Sequence, residues 1–312
     1  MSARRRTGDT RSREALVERA LEHLWPDTHA FESTLVVGTF RSGFIQSLQS
    51  RADSVQGWSR WATAQTPGTP WPPSNQHARA LIRLPKSKDE FDFVLKASVS
   101  TIPVGHHVWV VGANDEGIKS ATKVMDKYLG GIVTIGSKHH CRLLRGTRTP
   151  TSRTFQLDDL EWTTTLDLKT GPIPWHAMPG VFAKGRLDEA TALLIDTVPT
   201  LKTPRTVLDF ACGTGPLAHQ VHTYFPDADI SMIDADSVAV HVARKNVGSA
   251  RGYVSDGWSN VPMSSFDLIV SNPPIHTGKA EDHRILNQLI ADATDYLSAG
   301  GQLVLVGQGR LN

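Results

Sequence analysis

Between Arg205 and Gly307, short apolar runs that are typical of buried β-strands alternate with segments of helical spacing. The strand-like runs are RTVLDF (205–210), ADISMID (228–234), RGYVSD (251–256), FDLIVS (266–271) and GQLVLVG (301–307). Helical patterns lie at 216–224, 237–246 and 280–297. Because strands separated by helices pair in parallel, this alternation predicts an α/β fold. Ligands of such folds bind beyond the carboxyl ends of the strands, so those ends are where functional residues are expected.

The first half of the chain shows a similar alternation. Its strand-like runs lie at 33–40, 78–84 and 107–114, its helical patterns at 12–25, 86–102 and 115–129, and GIVTIG and CRLLRG close it. GWSRWAT (57–63) alternates weakly, and TPGTPWPPSN (66–75) is expected to be a loop because it holds four prolines. VVGTFRSG, VVGANDEG and LDFACGTG each join an apolar strand to a glycine-containing turn. These similarities are a weak indication of an internal duplication.

The two halves differ in charge. TRTPTSRT (147–154) is the predicted linker, which gives domains at 1–150 and 155–312. Residues 1–154 carry 22 Lys and Arg against 13 Asp and Glu, whereas residues 155–312 carry 11 against 18. A basic half joined to an acidic half favours a nucleic-acid partner for the first domain. The alternative is that both halves simply present ordinary solvated surfaces.

The composition excludes several classes of protein. With 39% hydrophobic and 21% charged residues among 312, the chain is typical of a soluble globular protein. No apolar run approaches the roughly 20 residues of a membrane-spanning helix, and the N-terminus lacks the apolar block of a secretory signal. Cys141 and Cys212 lie in different halves, which argues against a disulfide framework or a cysteine-rich metal site. We therefore expect a cytoplasmic protein with neither membrane nor metal as a partner.

The strand ends of the second half indicate a cofactor site. Gly213 and Gly215 form a turn after the first strand, but neither the dinucleotide fingerprint nor a Walker lysine is present. Asp209 would disfavour a pyrophosphate there and suits a cationic ligand with an amino group, such as S-adenosylmethionine. Asp234 and Asp256 end the next two strands, where they are placed to accept hydrogen bonds from ribose hydroxyls and from adenine. Taken singly, each aspartate could equally be a turn or capping residue.

The fourth strand ends on Asn272, Pro273 and Pro274. Proline fixes φ and holds the preceding residue extended, so this sequence predicts a stiff elbow that projects the asparagine side chain. The Asn272 amide oxygen and the Pro273 carbonyl are both acceptors and could hold an –NH2 group. They would keep the lone pair of a nucleobase amine directed at a sulfonium methyl group, by positioning rather than by strong base catalysis. The alternative is a rigid surface turn.

The sequence shares five segments with one known family: RLPKSKDEFDFVL, IPVGHHVWVVGANDEGIKSA, MPGVFAKGRLDEATALL, VLDFACGTGPLA and SNPPIHTG. On these segments, and over nearly its whole length, it resembles the ribosomal RNA guanine-N2 methyltransferases. That family comprises the methyltransferases C, which modify small-subunit RNA, and the related methyltransferases G, which modify large-subunit RNA. The resemblance implies two tandem Rossmann-like domains of the methyltransferase type. The first would be degenerate and would recognise RNA, and the second would be a class I S-adenosylmethionine-dependent domain.

The resemblance also implies a reaction and a set of site residues. The expected reaction is methylation of a guanine N2 in ribosomal RNA, with the small subunit favoured over the large and a monomer favoured. Catalysis would fall to Asn272, Pro273 and Pro274. The cofactor would be bound by Asp209, Ala211, Cys212, Gly213, Gly215, Asp234 and Asp256, and covered on its other side by the segment from Phe182 to Asp188. Ile275 and His276 would contact the substrate base.

The chain departs from the family pattern at three points. Ala211 replaces the usual glycine, which we expect to be a mild change. Ile275 replaces an aromatic residue that could stack on the flipped base, a contact worth about 1–3 kcal/mol, so base binding should be weaker. The chain stops at Asn312, whereas the family continues through a helix and an antiparallel hairpin, so the second sheet is expected without its last strands and with an apolar edge at GQLVLVG.

Two other functions stay open at this level. The chain could be an RNA-binding or assembly protein with an impaired catalytic domain, as Ile275 and the position of Asn312 suggest. It could also methylate a protein glutamine, although enzymes of that kind pair their catalytic domain with a helical one.

Overall fold

The computed structural model describes residues 9–25, 33–40, 42–63, 66–73, 77–261, 265–274, 276–277, 280–281 and 284–307. The chain divides into two compact units. One comprises Met1–Ser59 and Trp71–Asp159, and the other comprises Arg60–Pro70 and Leu160–Asn312. The predicted linker lies shortly before the crossing at Asp159, but the inclusion of Arg60–Pro70 in the second unit differs from the predicted boundaries. None of the described helices combines the length and the apolarity needed to cross a membrane.

The first unit is built on a six-stranded sheet in the order β2-β1-β3-β4-β6-β5. Its strands are β1 (Thr34–Val37), β2 (Val55–Trp58), β3 (Arg79–Arg83), β4 (His107–Ala113), β5 (Gly130–Lys138) and β6 (Cys141–Thr147). Its helices are α1 (Asp9–Leu24), α2 (Ser42–Gln49), α3 (Lys88–Thr101) and α4 (Ile118–Met125). The first four strands of the sheet pair in parallel, and β6 pairs antiparallel with both β4 and β5. Helix α1 buries Val17, Ala20 and Leu21 in a cluster with Trp109, because their spacing places them on one face.

The second unit contains a five-stranded sheet in the order β11-β10-β9-β12-β15, and every pair of neighbours in it is parallel. Its strands are β7 (Trp162–Leu168), β8 (Gly171–Ala177), β9 (Thr206–Phe210), β10 (Asp229–Asp234), β11 (Arg251–Val254), β12 (Phe266–Ser271), β13 (His276–Thr277), β14 (Ala280–Glu281) and β15 (Leu297–Leu305). Its helices are α5 (Glu189–Thr197), α6 (Pro216–Tyr224), α7 (Ser237–Asn246) and α8 (Arg284–Tyr296). Strands β7 and β8 form an antiparallel hairpin ahead of the sheet.

The predicted parallel sheet of the second half is confirmed, and its central strand shows why it forms. Val207 of β9 is buried in the cluster on one face and Leu208 in the cluster on the other, so the strand is covered on both sides. The order β10-β9-β12-β15 has its counterpart in β2-β1-β3-β4 of the first unit. Two sheets with this shared core order agree with the predicted tandem fold.

The weakly alternating run at 57–63 was not a single strand. Trp58 ends β2 in the first unit, whereas Trp61 pairs antiparallel with Asp236 of the second. Trp58 and Arg60 are both buried, so alternation of burial continues past the point where the chain leaves β2. A sequence pattern records that alternate residues are covered but not which unit covers them.

Candidate active site

The carboxyl ends of the central strands lie level with one another. Phe210 of β9 is paired with Ile233 of β10 on one side and with Ser271 of β12 on the other. Asp234, which follows Ile233 and ends β10, and Asn272, which follows Ser271 at the end of β12, therefore emerge at the same edge of the sheet. This is the edge at which ligands bind in open parallel sheets.

A glycine turn follows β9 at this edge. Cys212 N–H donates to the Ile233 carbonyl at 2.9 Å, which ties the turn to β10. Gly215 has φ +90°, and a Cβ there would lie 3.0 Å from Val247 Cγ2, so the turn packs tightly against α7. Gly213 has φ +55°, and no described atom lies within 4 Å of the position of its missing Cβ. The turn is thus close-packed at Gly215 and leaves room for a ligand at Gly213.

Asp234 is fixed by the turn and by its own loop. Its Oδ2 accepts from Gly213 N–H at 2.9 Å, and its Oδ1 accepts from Asp236 N–H at 2.8 Å. Burial, reinforced by the charge of Asp236, raises the pKa of Asp234 to about 6. Each carboxylate oxygen retains a further lone pair, so the group can still accept from hydroxyls, as the predicted ribose role requires.

Asp209 lies beneath the turn. Its side chain is 1% exposed, and its Oδ2 accepts from Ala218 N–H of α6 at 3.0 Å. Burial raises the pKa of Asp209 to about 8, and the charge of Asp234 acts in the same direction. The carboxyl group therefore ties α6 to β9, and its predicted contact with the methionine end of a cofactor stays a prediction.

Two further predicted cofactor residues differ in exposure. Cys212 is buried, and burial raises the pKa of its thiol well above the ordinary value. Asp256 is exposed in the turn after β11, which ends at Val254 rather than at the predicted residue 256. Asp256 thus stands two residues beyond the strand, and its predicted contact with adenine remains untested.

Ala211 has a left-handed backbone, with φ +59°. A residue with a Cβ is disfavoured by roughly 1–2 kcal/mol in this conformation, which glycine adopts freely. The replacement of the family's glycine is therefore a source of backbone strain, and the expectation that its effect on the protein is mild stays a prediction.

Replacing Ala211 by glycine should stabilise the protein by about 1 kcal/mol, because the strain is removed at a modest cost in unfolded-state entropy. Denaturant unfolding followed by circular dichroism measures the change. Ala218→Gly is the matched control, since Ala218 lies in helix α6 and glycine there should destabilise. Loss of stability in both variants would contradict the strain assigned to Ala211.

Asn272 is held in one orientation. Its Nδ2 donates to Asp188 Oδ2 at 3.0 Å and to Thr191 Oγ1 at 2.9 Å. An ionised carboxylate only accepts, so the amide nitrogen must face Asp188 and the amide oxygen must point away from it. Within the described part of the chain, Asn272 Oδ1 accepts no hydrogen bond. The elbow thus presents a free acceptor at the strand edge.

Asp188 and Thr191 belong to the start of α5. Asp188 is the N-cap of this helix, and its Oδ2 accepts from Ala190 and Thr191 N–H at 3.0 and 3.2 Å. Asp188 therefore orients Asn272, and the place in the cofactor cover that the family resemblance implies for it stays a prediction. Thr191 was not predicted at all, although its spacing from the Asp188 cap places it on the same first turn.

The neighbours of the elbow are unevenly described. Pro273 is buried and Pro274 is exposed, as expected of a bend that leaves a sheet. Ile275 lies outside the described residues, and of His276 the structure describes the backbone, which begins β13. Phe182 is 61% exposed in the turn Phe182–Gly185, where a large apolar side chain is available to cover a ligand.

The parallel sheet, with the glycine turn and the oriented asparagine at one edge, is the arrangement expected of a class I methyltransferase. Residues 173–312 match the family Methyltransferase small domain, and residues 24–164 match Methyltransferase small domain N-terminal.

Curated relatives carry the comparison further. The chain is 32% identical over 278 residues to ribosomal RNA small subunit methyltransferase C of Pseudomonas fluorescens, which covers 85% of this chain and 82% of the relative. It is 30% identical over 288 residues to the protein of the same name from Haemophilus influenzae, with coverages of 90% and 86%. The chain belongs to the ribosomal RNA small subunit methyltransferase C family.

A solved structure supports the same fold. The 16S rRNA N2 G1207 methyltransferase of T. thermophilus, in complex with AdoMet and guanosine, matches with a TM-score of 0.80 and 20% identity. The match covers 98% of this chain and 86% of that one. The predicted family, the enzyme class and the two tandem methyltransferase-type domains are confirmed.

Proposed function

We propose that this chain transfers the methyl group of S-adenosylmethionine to the exocyclic N2 amine of a guanine in small-subunit ribosomal RNA, which leaves S-adenosylhomocysteine and releases one proton of the amine to water. The names of its relatives and the ligands of its structural neighbour support this substrate and this cofactor. The observation that carries the proposal is the Asn272 amide, whose NH2 is occupied by Asp188 and Thr191 so that its oxygen is free to accept.

The residues at the strand edge fit S-adenosylmethionine. Gly213 borders open space, Asp234 offers oriented acceptors for ribose hydroxyls, and Phe182 exposes an apolar surface. The residues proposed to contact the cofactor include carboxylates but no Lys or Arg. Such a site suits a positively charged ligand that has no phosphate. Bound there, the cofactor supplies an electrophilic methyl group on a positively charged sulfur.

Asn272 and Pro273 would position the attacking amine. The guanine N2 lone pair is delocalised into the ring, so the amine is a poor nucleophile until its hydrogens leave the ring plane. Asn272 Oδ1 and the Pro273 carbonyl accept from those two hydrogens and favour the pyramidal geometry. The rigid Pro-Pro sequence keeps the two acceptor oxygens at a fixed distance and direction from each other. Positioning of the amine, rather than a strong base, therefore lowers the barrier to methyl transfer.

Other assignments belong to the same proposal. The first unit would bind the RNA backbone through its excess of basic residues. Ile275 and His276 would contact the flipped base, and Asp256 the adenine. The protein would act as a monomer in the cytoplasm and without a metal, and the two free, buried cysteines are compatible with a reducing compartment.

A labelled-methyl assay tests the proposal. Purified protein is offered bare small-subunit ribosomal RNA, assembled small subunits and a glutamine-containing release-factor peptide. We expect incorporation into RNA, at a guanine whose N2 carries the label after nuclease digestion. Incorporation into the peptide alone would reject the RNA substrate. RNA binding without any incorporation would favour an RNA-binding protein with an impaired catalytic domain.

The affinity for S-adenosylhomocysteine should fall as the pH drops below about 6, because the pKa of Asp234 is about 6 and its protonated form loses acceptor capacity. Folding stability should change in the opposite direction. The pKa of Asp234 in the folded protein lies above its ordinary 3.8, so the charged carboxylate destabilises the folded state. This destabilisation is complete above about pH 6 and absent below about pH 4.

Calorimetric titration with S-adenosylhomocysteine between pH 5 and 7 measures this effect. Asp209 stays protonated across that range, since its pKa is about 8. Asp234→Asn is the control and should bind weakly with no pH dependence. A wild-type affinity that is constant from pH 5 to 7 would show that Asp234 does not accept from the ligand.

A further inference from the structure

Arg60, far in sequence from the cofactor and catalytic motifs of the second unit, is buried against the loop that follows β10. Its Nε donates to Asp236 Oδ1 at 2.8 Å, and its Nη2 donates to Asp236 Oδ2, which makes a two-pronged ion pair. The side chains of Arg60 and Asp236 are 1% and 4% exposed. Such a fork fixes the direction of both groups as well as their distance.

The backbone around Arg60 follows the same loop. Trp61 forms an antiparallel bridge with Asp236, and Ala62 N–H donates to the Ala235 carbonyl at 2.7 Å. The Arg60 carbonyl accepts from Ser237 N–H at 2.9 Å and from Ser237 Oγ at 2.6 Å. Residues Arg60–Ala62 are therefore hydrogen-bonded to each residue from Ala235 to Ser237. The loop cannot shift without breaking these hydrogen bonds.

That loop holds Asp234. The backbone N–H of Asp236 donates to Asp234 Oδ1, and Asp234 Oδ2 accepts from Gly213. The contacts run from the Arg60 guanidinium through Asp236 to the carboxylate proposed to bind ribose, and from there to the glycine turn. The charge of Arg60 also opposes the effect of Asp236 on the pKa of Asp234.

The loop Asp234–Ser237 is one wall of the proposed cofactor site, and the segment Pro179–Gly185 is the other. The Nη1 arm of the Arg60 guanidinium contacts this second wall. Its Nη1 donates to the Pro179 carbonyl at 3.0 Å. Gly180 follows with φ +78°, and a Cβ there would lie 2.7 Å from Arg60 Nη1. The guanidinium thus packs against the backbone that leads into the Phe182–Gly185 turn, where Phe182 is exposed.

We propose that Arg60 is a positioning residue for the cofactor: one guanidinium joins the loop that orients Asp234 to the segment that carries Phe182. The inference rests on the proposed function for the identity of the cofactor. A buried ion pair adds little stability over a well-packed apolar pair, so the geometry it fixes is the better reason for placing an arginine here. Loss of the two-pronged ion pair would leave both walls less rigidly held. The affinity for the cofactor would then be lower.

Arg60→Lys is the principal test, because lysine keeps the charge but provides neither the fork nor the contact with Pro179. Titration calorimetry of the full chain with S-adenosylhomocysteine should show a dissociation constant raised roughly tenfold. The KM for S-adenosylmethionine should rise similarly, with kcat at saturating cofactor within about twofold of wild type. Arg244→Lys is the matched control, since the Arg244 guanidinium donates to the Gly252 carbonyl and to neither wall.

A variant that partly unfolds lowers the calorimetric stoichiometry but leaves the dissociation constant of the folded fraction unchanged, so the two effects are separable. Arg60→Met combined with Asp236→Asn removes both buried charges and keeps a capping side chain at position 236; weakened binding is expected here too. Wild-type dissociation constants in both variants, or an equal increase in Arg244→Lys, would overturn the role of Arg60. Binding by the wild-type chain without methylation of RNA would instead reject the proposed function and leave this test intact.

Discussion

Asn272→Ala should reduce methyl transfer to small-subunit ribosomal RNA by at least about a hundredfold, which is the usual cost of removing one preorganised group that acts at the reacting centre. The free oxygen of Asn272 exists because Asp188 and Thr191 occupy its nitrogen, and alanine supplies no acceptor in its place. Single-turnover incorporation of labelled methyl groups at saturating cofactor measures the loss.

The affinity of Asn272→Ala for S-adenosylhomocysteine should stay within a fewfold of wild type, since the amide is assigned to the substrate. Asn260→Ala is the matched control. Asn260 is exposed, and its amide donates to the Val254 carbonyl, so this variant should keep full activity. If Asn272→Ala lost the cofactor as strongly as it lost turnover, the division of roles between the elbow and the glycine turn would be wrong.

Asp234→Ala should raise the dissociation constant for S-adenosylhomocysteine about a hundredfold, the combined effect of two lost charge-assisted hydrogen bonds to the ligand. The substitution also frees Gly213 N–H and Asp236 N–H, which the carboxylate now accepts from. Titration calorimetry measures the affinity, and kcat at saturating S-adenosylmethionine should be affected much less than KM.

Asp229→Ala serves as the control for that experiment. Asp229 begins the same strand at its opposite end and pairs with Arg251 at the surface, so its loss should leave binding unchanged. A fall in kcat with an unchanged dissociation constant in Asp234→Ala would move this residue from the cofactor to the chemical step.

Local sequence patterns predicted the parts of the fold that local physics determines. The strand Thr206–Phe210 is apolar on both faces because both faces are covered, and the helix that follows Gly215 begins with Pro216, a favoured first residue. Asp234 and Asn272 were found because Asp234 ends, and Asn272 directly follows, a strand that pairs with β9. The N-cap role of Asp188 also depends on local sequence, because aspartate is a favoured residue directly before a helix.

The contacts that tune the site could not be predicted, because they join distant parts of the chain. Asp188 lies 84 residues before Asn272, and Arg60 lies 176 before Asp236. No sequence periodicity links such pairs of residues. The sequence also does not show whether a single arginine is buried or exposed. The strain at Ala211 depends on its positive φ, which becomes visible only in the folded turn. The family's glycine at this position is explained by that angle but does not predict it.

The position of Arg60 also bears on how a gene of this kind can be rearranged. The segment Arg60–Pro70 belongs to the second unit, although it is encoded between two portions of the first. Recombination that moved residues 160–312 into another protein would leave behind the arginine that meets Asp236. Because the second unit is not continuous in sequence, an exchange of contiguous halves of the chain would leave the Asp236 carboxylate buried without the charge of Arg60.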